Sequence, residues 1–151
     1  MSLPVLSWCD FEALTLQELY ALLQLRQDVF VVEQTCVLNE IDGRDPEARH
    51  ALLWHRGALA GTARLFAPDA VGNARLGRIV VARDARGQGL GRHLVAGALQ
   101  EVGRRWGAVP VEMGAQKHLQ DFYRRFGFVT VSGAYDDHGI LHVLMRRPPP
   151  V

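Results

Sequence analysis

Apolar residues recur at helical spacing in some stretches of this chain and as short, dense runs in others, a pattern that predicts alternating helices and strands. Leu3 to Trp8 is a short apolar run carrying Pro4, which suits a strand at a sheet edge. Thr15-Leu16-Gln17-Glu18 matches a capping box, with Leu14 placed to staple onto Leu19. Leu16, Leu19, Tyr20, Leu23 and Phe30 then mark a helix face, so this helix should reach Phe30 or a little beyond. His50–His55 and Ala58–Phe66 flank Arg56-Gly57 and read as a hairpin. Leu76 to Arg83 has an apolar centre, Ile79-Val80-Val81, as in a strand covered on both faces. Leu90, Leu94, Val95, Ala98, Leu99 and Val102 form the inner face of a helix ending near Arg105. Val109–Met113 follows as a strand, joined to the previous one by a right-handed crossover and so parallel to it. Leu119, Phe122, Tyr123 and Phe126 define a second helix closed by Gly127. Val129–Val131 and Ile140–Met145 flank the turn signal Asp136-Asp137-His138-Gly139, and Pro148-Pro149-Pro150 cannot extend a ladder.

Between the first helix and the hairpin the charge balance changes. Asp28, Glu33, Glu40, Asp42, Asp45 and Glu47 face the single cation Arg44. The segment is either a solvated acidic loop or a rim that attracts a cationic substrate.

A chain of 151 residues can bury roughly two thirds of its unfolded surface, so the expectation is one domain over residues 1–151 that folds without metal or disulfide. The net charge of +1 gives no bulk attraction to nucleic acid. Cys9 and Cys36 form no CxxC pair and the histidines show no HxxxH spacing, so no metal site is suggested. No leader is visible and no apolar run approaches the ~18 to 20 residues of a membrane span, which leads us to expect a cytoplasmic protein without a membrane partner.

Candidate chemistry concentrates in Arg86-Gly87-Gln88-Gly89-Leu90-Gly91-Arg92, between an apolar strand and a helix. Glycines there let the backbone approach a ligand, and the helix behind points its free N–H groups and dipole at the turn, as a pyrophosphate requires. A Walker loop needs Gly-Lys-Ser/Thr, but Arg92-His93 follows Gly91. A GxGxxG fingerprint meets Arg92 or Leu94 where its third glycine should stand.

The stretch does spell RxxGxG with Arg86, Gly89 and Gly91, and so resembles motif A of the GNAT superfamily of acyl-CoA-dependent N-acyltransferases. The order of elements is similar to that fold over most of the chain. The segments VFVVEQ, ARDARGQGLG, AQKHLQDFYRRFGF and DDHGILHVLM look like the ElaA-like branch of the superfamily. The resemblance implies an α/β (α+β) architecture with a mixed central sheet flanked by helices and splayed between its two parallel strands. It also implies acetyl-CoA as acyl donor. Backbone N–H groups of Gly87, Gln88, Gly89, Leu90, Gly91 and Arg92 would hold the pyrophosphate, with Arg86 supporting the loop. Ile79, Val80 and Val81 would offer backbone to the pantetheine, the Ile79 N–H polarising the thioester carbonyl. Tyr123 falls where such enzymes place the acid for the departing thiolate, with a phenol near its ordinary pKa of about 10.

Four residues stand open as general base: Glu33, Glu112, His50 and His142. Gln116 and His118 either contact the cofactor or cap the second helix. The acceptor would be a small-molecule or peptide amine, cationic if Glu33, Glu40, Asp42 and Asp45 steer it. A homodimer is left open. The alternative to an enzyme is an acyl-CoA-binding module of the same fold that acts as a sensor.

Overall fold

The sheet is assembled in the order in which its sequence signals appear, until the two parallel strands meet. The computed structural model describes residues 3–150. Strand β1 (Val5–Asp10) leads to helix α1 (Leu16–Arg26), whose capping box forms as expected: Glu18 N–H donates to Thr15 Oγ1 at 3.0 Å and Thr15 N–H to Glu18 Oε1 at 2.9 Å. The helical path continues as a π-helix through Gln27–Glu33. Its buried stripe is Leu22, Leu25, Arg26 and Val29, while Leu16 and Tyr20 face solvent. The expected face was therefore one of two that the leucines allow, and packing of Leu25 and Val29 on Val80 selects the other.

Strands β2 (Arg49–His55) and β3 (Ala58–Phe66) form the hairpin, with Arg56 and Gly57 both at positive φ as a two-residue turn of matching twist needs. Strand β4 (Ala74–Val81), helix α2 (Leu90–Trp106) and strand β5 (Val111–Gln116) make the parallel crossover. The short helix α3 (Gln120–Arg124) follows, then strands β6 (Val129–Thr130), β7 (Tyr135–Asp137) and β8 (Ile140–Arg147).

The sheet runs β1-β2-β3-β4-β5-β8-β6, with β7 also on β8. The closing hairpin differs from expectation. β7, not the Val129 strand, pairs with the start of β8, and the turn is His138-Gly139 alone, with Asp136 and Asp137 in the ladder. β6 pairs instead with the end of β8, at Val129–Arg146 and Thr130–Met145. Ser132 Oγ accepts the Leu144 N–H at 2.9 Å where the chain leaves that ladder.

Alternation divides the sheet faces. Leu65, Leu76, Val111, Met113, Val143 and Met145 join Leu94, Val95, Ala98 and Val102 of α2 in the main core. The opposite face packs against α1 around Val80 and is otherwise more polar. Two facts open that face. The parallel pair β4–β5 is joined only at Ala74–Val111 and Arg75–Glu112, and beyond these the strands part. On the other edge of β4, Thr62 pairs with Val80 and Arg64 with Gly77, so Arg78 and Ile79 stand opposite Ala63 alone. That is a β-bulge, which bends the strand, and Arg78 sits in it at φ +50°.

Candidate active site

The glycine turn closes β4 and opens α2. Gly87 and Gly89 have φ of +78° and +77°, where an L side chain is strained, and nothing lies within 4 Å of where a Cβ would project. The turn is exposed, while Leu90 anchors the helix behind it. The first backbone bond into α2 runs from His93 N–H to Gly89 C=O at 3.1 Å. The N–H groups of Leu90, Gly91 and Arg92 therefore lie at the helix mouth without an intrahelical acceptor. An open cradle of this kind fits a pyrophosphate.

Arg86 does not point into the cradle. Its guanidinium donates to both oxygens of Glu33 at 2.6 and 2.9 Å and to the Val81 carbonyl at 3.2 Å. It therefore ties the π-helix to the end of β4. The bond from Arg86 holds the Glu33 carboxyl below its usual range, so Glu33 is a poor base.

Where β4 and β5 part lies a cavity of about 520 Å³. Gly77, Arg78 and Ile79 line one side and Met113 to Gln116 the other, with the segment after the π-helix and the β7–β8 hairpin as further walls. Val80 and Val81 pair with β3 on one edge, and neither has a ladder partner on the edge toward β5 among the described residues. The expected splay is thus present, and of Ile79 to Val81 it is Ile79 that lines the cavity.

Tyr123 reaches the cavity from α3, its ring set edge-on to Phe122 and Phe128. Burial pushes its phenol up to about 12, not the ordinary value expected from sequence. The group is a weaker acid for that, and it keeps its proton throughout the neutral range.

The base candidates separate by position. Glu112 lies at the closed end of the parallel pair and accepts bonds from Arg146 at 2.6 Å and Asn73 at 2.7 Å. His50 is buried on β2 with Nε2 2.8 Å from the Asp45 carbonyl, and burial lowers its pKa. Neither lines the cavity; His142 does. His142 Nδ1 lies 2.8 Å from the Ile140 carbonyl, which can only accept. Nδ1 must carry the hydrogen, and in the neutral ring Nε2 holds the lone pair. Gln116, its register partner, also lines the cavity and makes no cap to the helical turn that follows.

The acidic segment is only in part the solvated loop expected: Asp28, Glu33, Asp42 and Glu47 are exposed. Glu40 and Asp45 are buried rather than solvated. Arg26 donates to Glu40 at 2.7 Å and to Asp45 at 2.8 Å, Arg64 to Asp42 and Asp45 at 2.9 and 3.0 Å, and Arg78 to Glu40 at 2.9 Å. With Glu33 held by Arg86, every carboxylate assigned to steering has an arginine on it. Bonds from Arg64 hold Asp42 well below the usual carboxylate range. Burial alone would raise Asp45, but Arg26 and Arg64 outweigh it. Arg26 was the readable sign: a charge between Leu22, Leu25 and Val29 on a buried stripe needs a buried partner. Arg64, Arg78 and Tyr135 carried no comparable signal.

Among the described residues no group of three or more His, Cys, Asp or Glu is placed to hold a metal, and no helix is long and apolar enough to cross a membrane.

A sheet parted at a bulge between two parallel strands, with a glycine turn at the end of the first, defines the acyl-CoA N-acyltransferase fold. The model of the acetyltransferase (GNAT) domain matches residues 17–148, and the chain belongs to that family. Within it, the chain is 40% identical to protein ElaA of Escherichia coli strain K12 over 148 residues, covering 95% of this chain and 97% of that one. The crystal structure of E. coli ElaA superposes with a TM-score of 0.90, covering 96% of this chain and 99% of the other. An acyl-CoA N-acyltransferase from Pseudomonas aeruginosa gives 0.91 at 45% identity, with 95% and 99% covered. An aminoglycoside 6'-N-acetyltransferase complexed with coenzyme A shares the fold at 15% identity and a TM-score of 0.72, with 96% and 99% covered.

Proposed function

We propose that the chain, as a single domain, is an N-acyltransferase that moves an acetyl group from acetyl-CoA directly to a primary amine. The observation that carries this reading is the parting of β4 from β5 at the Arg78–Ile79 bulge, with the glycine turn at the exit of β4 and Tyr123 facing the opening. Family membership and the likeness to the P. aeruginosa acyl-CoA N-acyltransferase support it.

Acetyl-CoA would supply an activated thioester. The N–H groups of Gly87 to Arg92 bind its pyrophosphate, and the free edge of Ile79, Val80 and Val81 binds the pantetheine. Ile79 N–H donates to the carbonyl oxygen as charge develops there, a contribution of roughly 3 to 4 kcal/mol for one well-placed donor. His142 Nε2 takes the proton that the attacking amine must lose. Tyr123 Oη gives its proton to the departing sulfur, and the phenolate, a strong base at a pKa of about 12, regains one from solvent. The transfer is direct because the cavity's one thiol, Cys36, is a hydrogen-bond donor to the His138 carbonyl at 3.0 Å, an acceptor that cannot take its proton.

Thiol release from acetyl-CoA in the presence of a broad amine panel, with mass detection of the acetylated amine, tests the reading. Tight CoA binding without thiol release to any amine would favour the non-catalytic module instead.

A further inference from the structure

Most guanidinium groups around the cavity are hydrogen-bonded to a carboxylate, and Arg75 is not. Across the polar sheet face the register sets Phe66, Arg75, Glu112 and Arg146 in one row. Glu112 Oε1 accepts two bonds from Arg146, at 2.6 and 3.1 Å, and one from Asn73 at 2.7 Å. Arg75 Nη1 stands 3.5 Å from the other oxygen, its side chain is 45% exposed, and it donates no hydrogen bond among the described residues. One carboxylate thus faces two guanidinium groups and satisfies one of them.

Two further groups lie along the same cavity. The Arg44 guanidinium lies 4.2 Å above the ring of Phe66, the register partner of Arg75, and its hydrogen bonds go to Glu47 on its own exposed turn. Tyr135 leans from β7 across β5 between the two ends of the cavity, its ring stacked on that of His142 at 6.0 Å and its hydroxyl only 2.8 Å from where a Cβ on Gly114 would stand. Burial and Asp137 raise that phenol's pKa, and Arg75 is close enough to offset part of the rise. Tyr135 Oη has no hydrogen-bond partner among the described residues. Among the other charges in the walls, Glu40 and Asp42 bond to Arg26, Arg64 and Arg78, and Asp137 lies 2.6 Å from the ring nitrogen of His138.

Resting on the reading of this cavity as the acceptor site, we propose that the acceptor is an amine that also carries a carboxylate, held by Arg75 with Arg44 beside it at the Phe66 end of the row. A guanidinium with an open fork binds a carboxylate in two parallel bonds. From the row of Glu112 to that of Gln116 and His142 is about 13 Å along β5, so the acceptor's amine and carboxylate lie at opposite ends of an extended molecule.

The test uses ω-amino carboxylates of rising chain length, with n-alkylamines and α,ω-diamines of matched length. Binding to the CoA-loaded protein is measured by calorimetry, and transfer by thiol release. The amino carboxylates should bind best, and Arg75→Ala should weaken their binding roughly tenfold or more while leaving alkylamine and CoA binding unchanged. Arg75→Lys should recover part of the loss. Equal or tighter binding of the diamines, or an Arg75→Ala variant that binds amino carboxylates normally, would overturn the proposal. Transfer to alkylamines and diamines in preference would overturn it while upholding the acyltransferase. Carboxylate-selective, Arg75-dependent binding without transfer would uphold the site and count against the enzyme.

Discussion

At the glycine turn the working groups are backbone donors fixed by local conformation, whereas in the Arg26–Asp45 network behind the cavity wall of Glu40, Asp42, Arg64 and Arg78 they are side chains gathered from segments far apart in the chain. Gly87 and Gly89 need nothing but their own φ values and the helix behind them to make an anion cradle. Asp45 needs Arg26 from α1 and Arg64 from β3, and Glu40 needs Arg26 and Arg78. A site of the first kind is written in consecutive residues and one of the second kind is not. The two should also fail differently: damage to the turn removes a ligand and spares the fold, while damage to the network spares the ligand and weakens the fold.

The largest effect is expected at the turn. Gly89→Glu places a side chain and a negative charge where φ is +77° and a pyrophosphate would lie, so calorimetry should detect no CoA binding. Its thermal unfolding should shift by no more than the strain of one residue. Next comes Tyr123→Phe, which should lower the turnover rate by roughly a hundredfold or more with CoA affinity intact. Full activity at every pH would remove Tyr123 from the acid role.

In the network, Asp45→Asn leaves Arg26 and Arg64 with an uncompensated buried charge and should cost about 3 to 5 kcal/mol of stability, read from denaturant unfolding, with CoA binding unchanged in the folded fraction. The same network sets a pH dependence. Asp42 and Asp45 have folded pKa values below their unfolded ones, so the unfolded chain binds more protons as the pH falls through the carboxylate range. Their contribution is complete above the unfolded pKa of about 4 and is lost progressively below it, so urea midpoints should drop there. In Asp45→Asn that drop should be smaller. The smallest effect is expected from Glu33→Gln. It loosens a largely exposed pair with Arg86, worth at most about 1 kcal/mol, and should weaken CoA binding by no more than severalfold.

The same contrast explains how much could be read from sequence. RxxGxG, the capping box and the Arg56-Gly57 turn are local signals, and all three formed in place. Periodicity misjudged the phase of α1 because leucines lie nearly all round it, and only contact with Val80 decides between faces. Asp136-Asp137-His138-Gly139 offered several turn positions, and pairing with β8 kept the two aspartates in the ladder. The acidic segment was misread in part, because its partners are arginines of α1, β3 and β4, and no local pattern announces a pairing across such distances. Of the four bases left open, the cavity retains His142 because it lies on β8 opposite the end of β5.

The central claim is that the parted strands, the glycine turn and Tyr123 together perform acyl transfer. It is tested most directly by following thiol release from acetyl-CoA by the wild-type protein while the amine is varied. The expected result is release that requires an amine, scales with protein concentration and yields the acetylated amine in equal amount. Stoichiometric binding of acetyl-CoA with no amine-dependent release would contradict it.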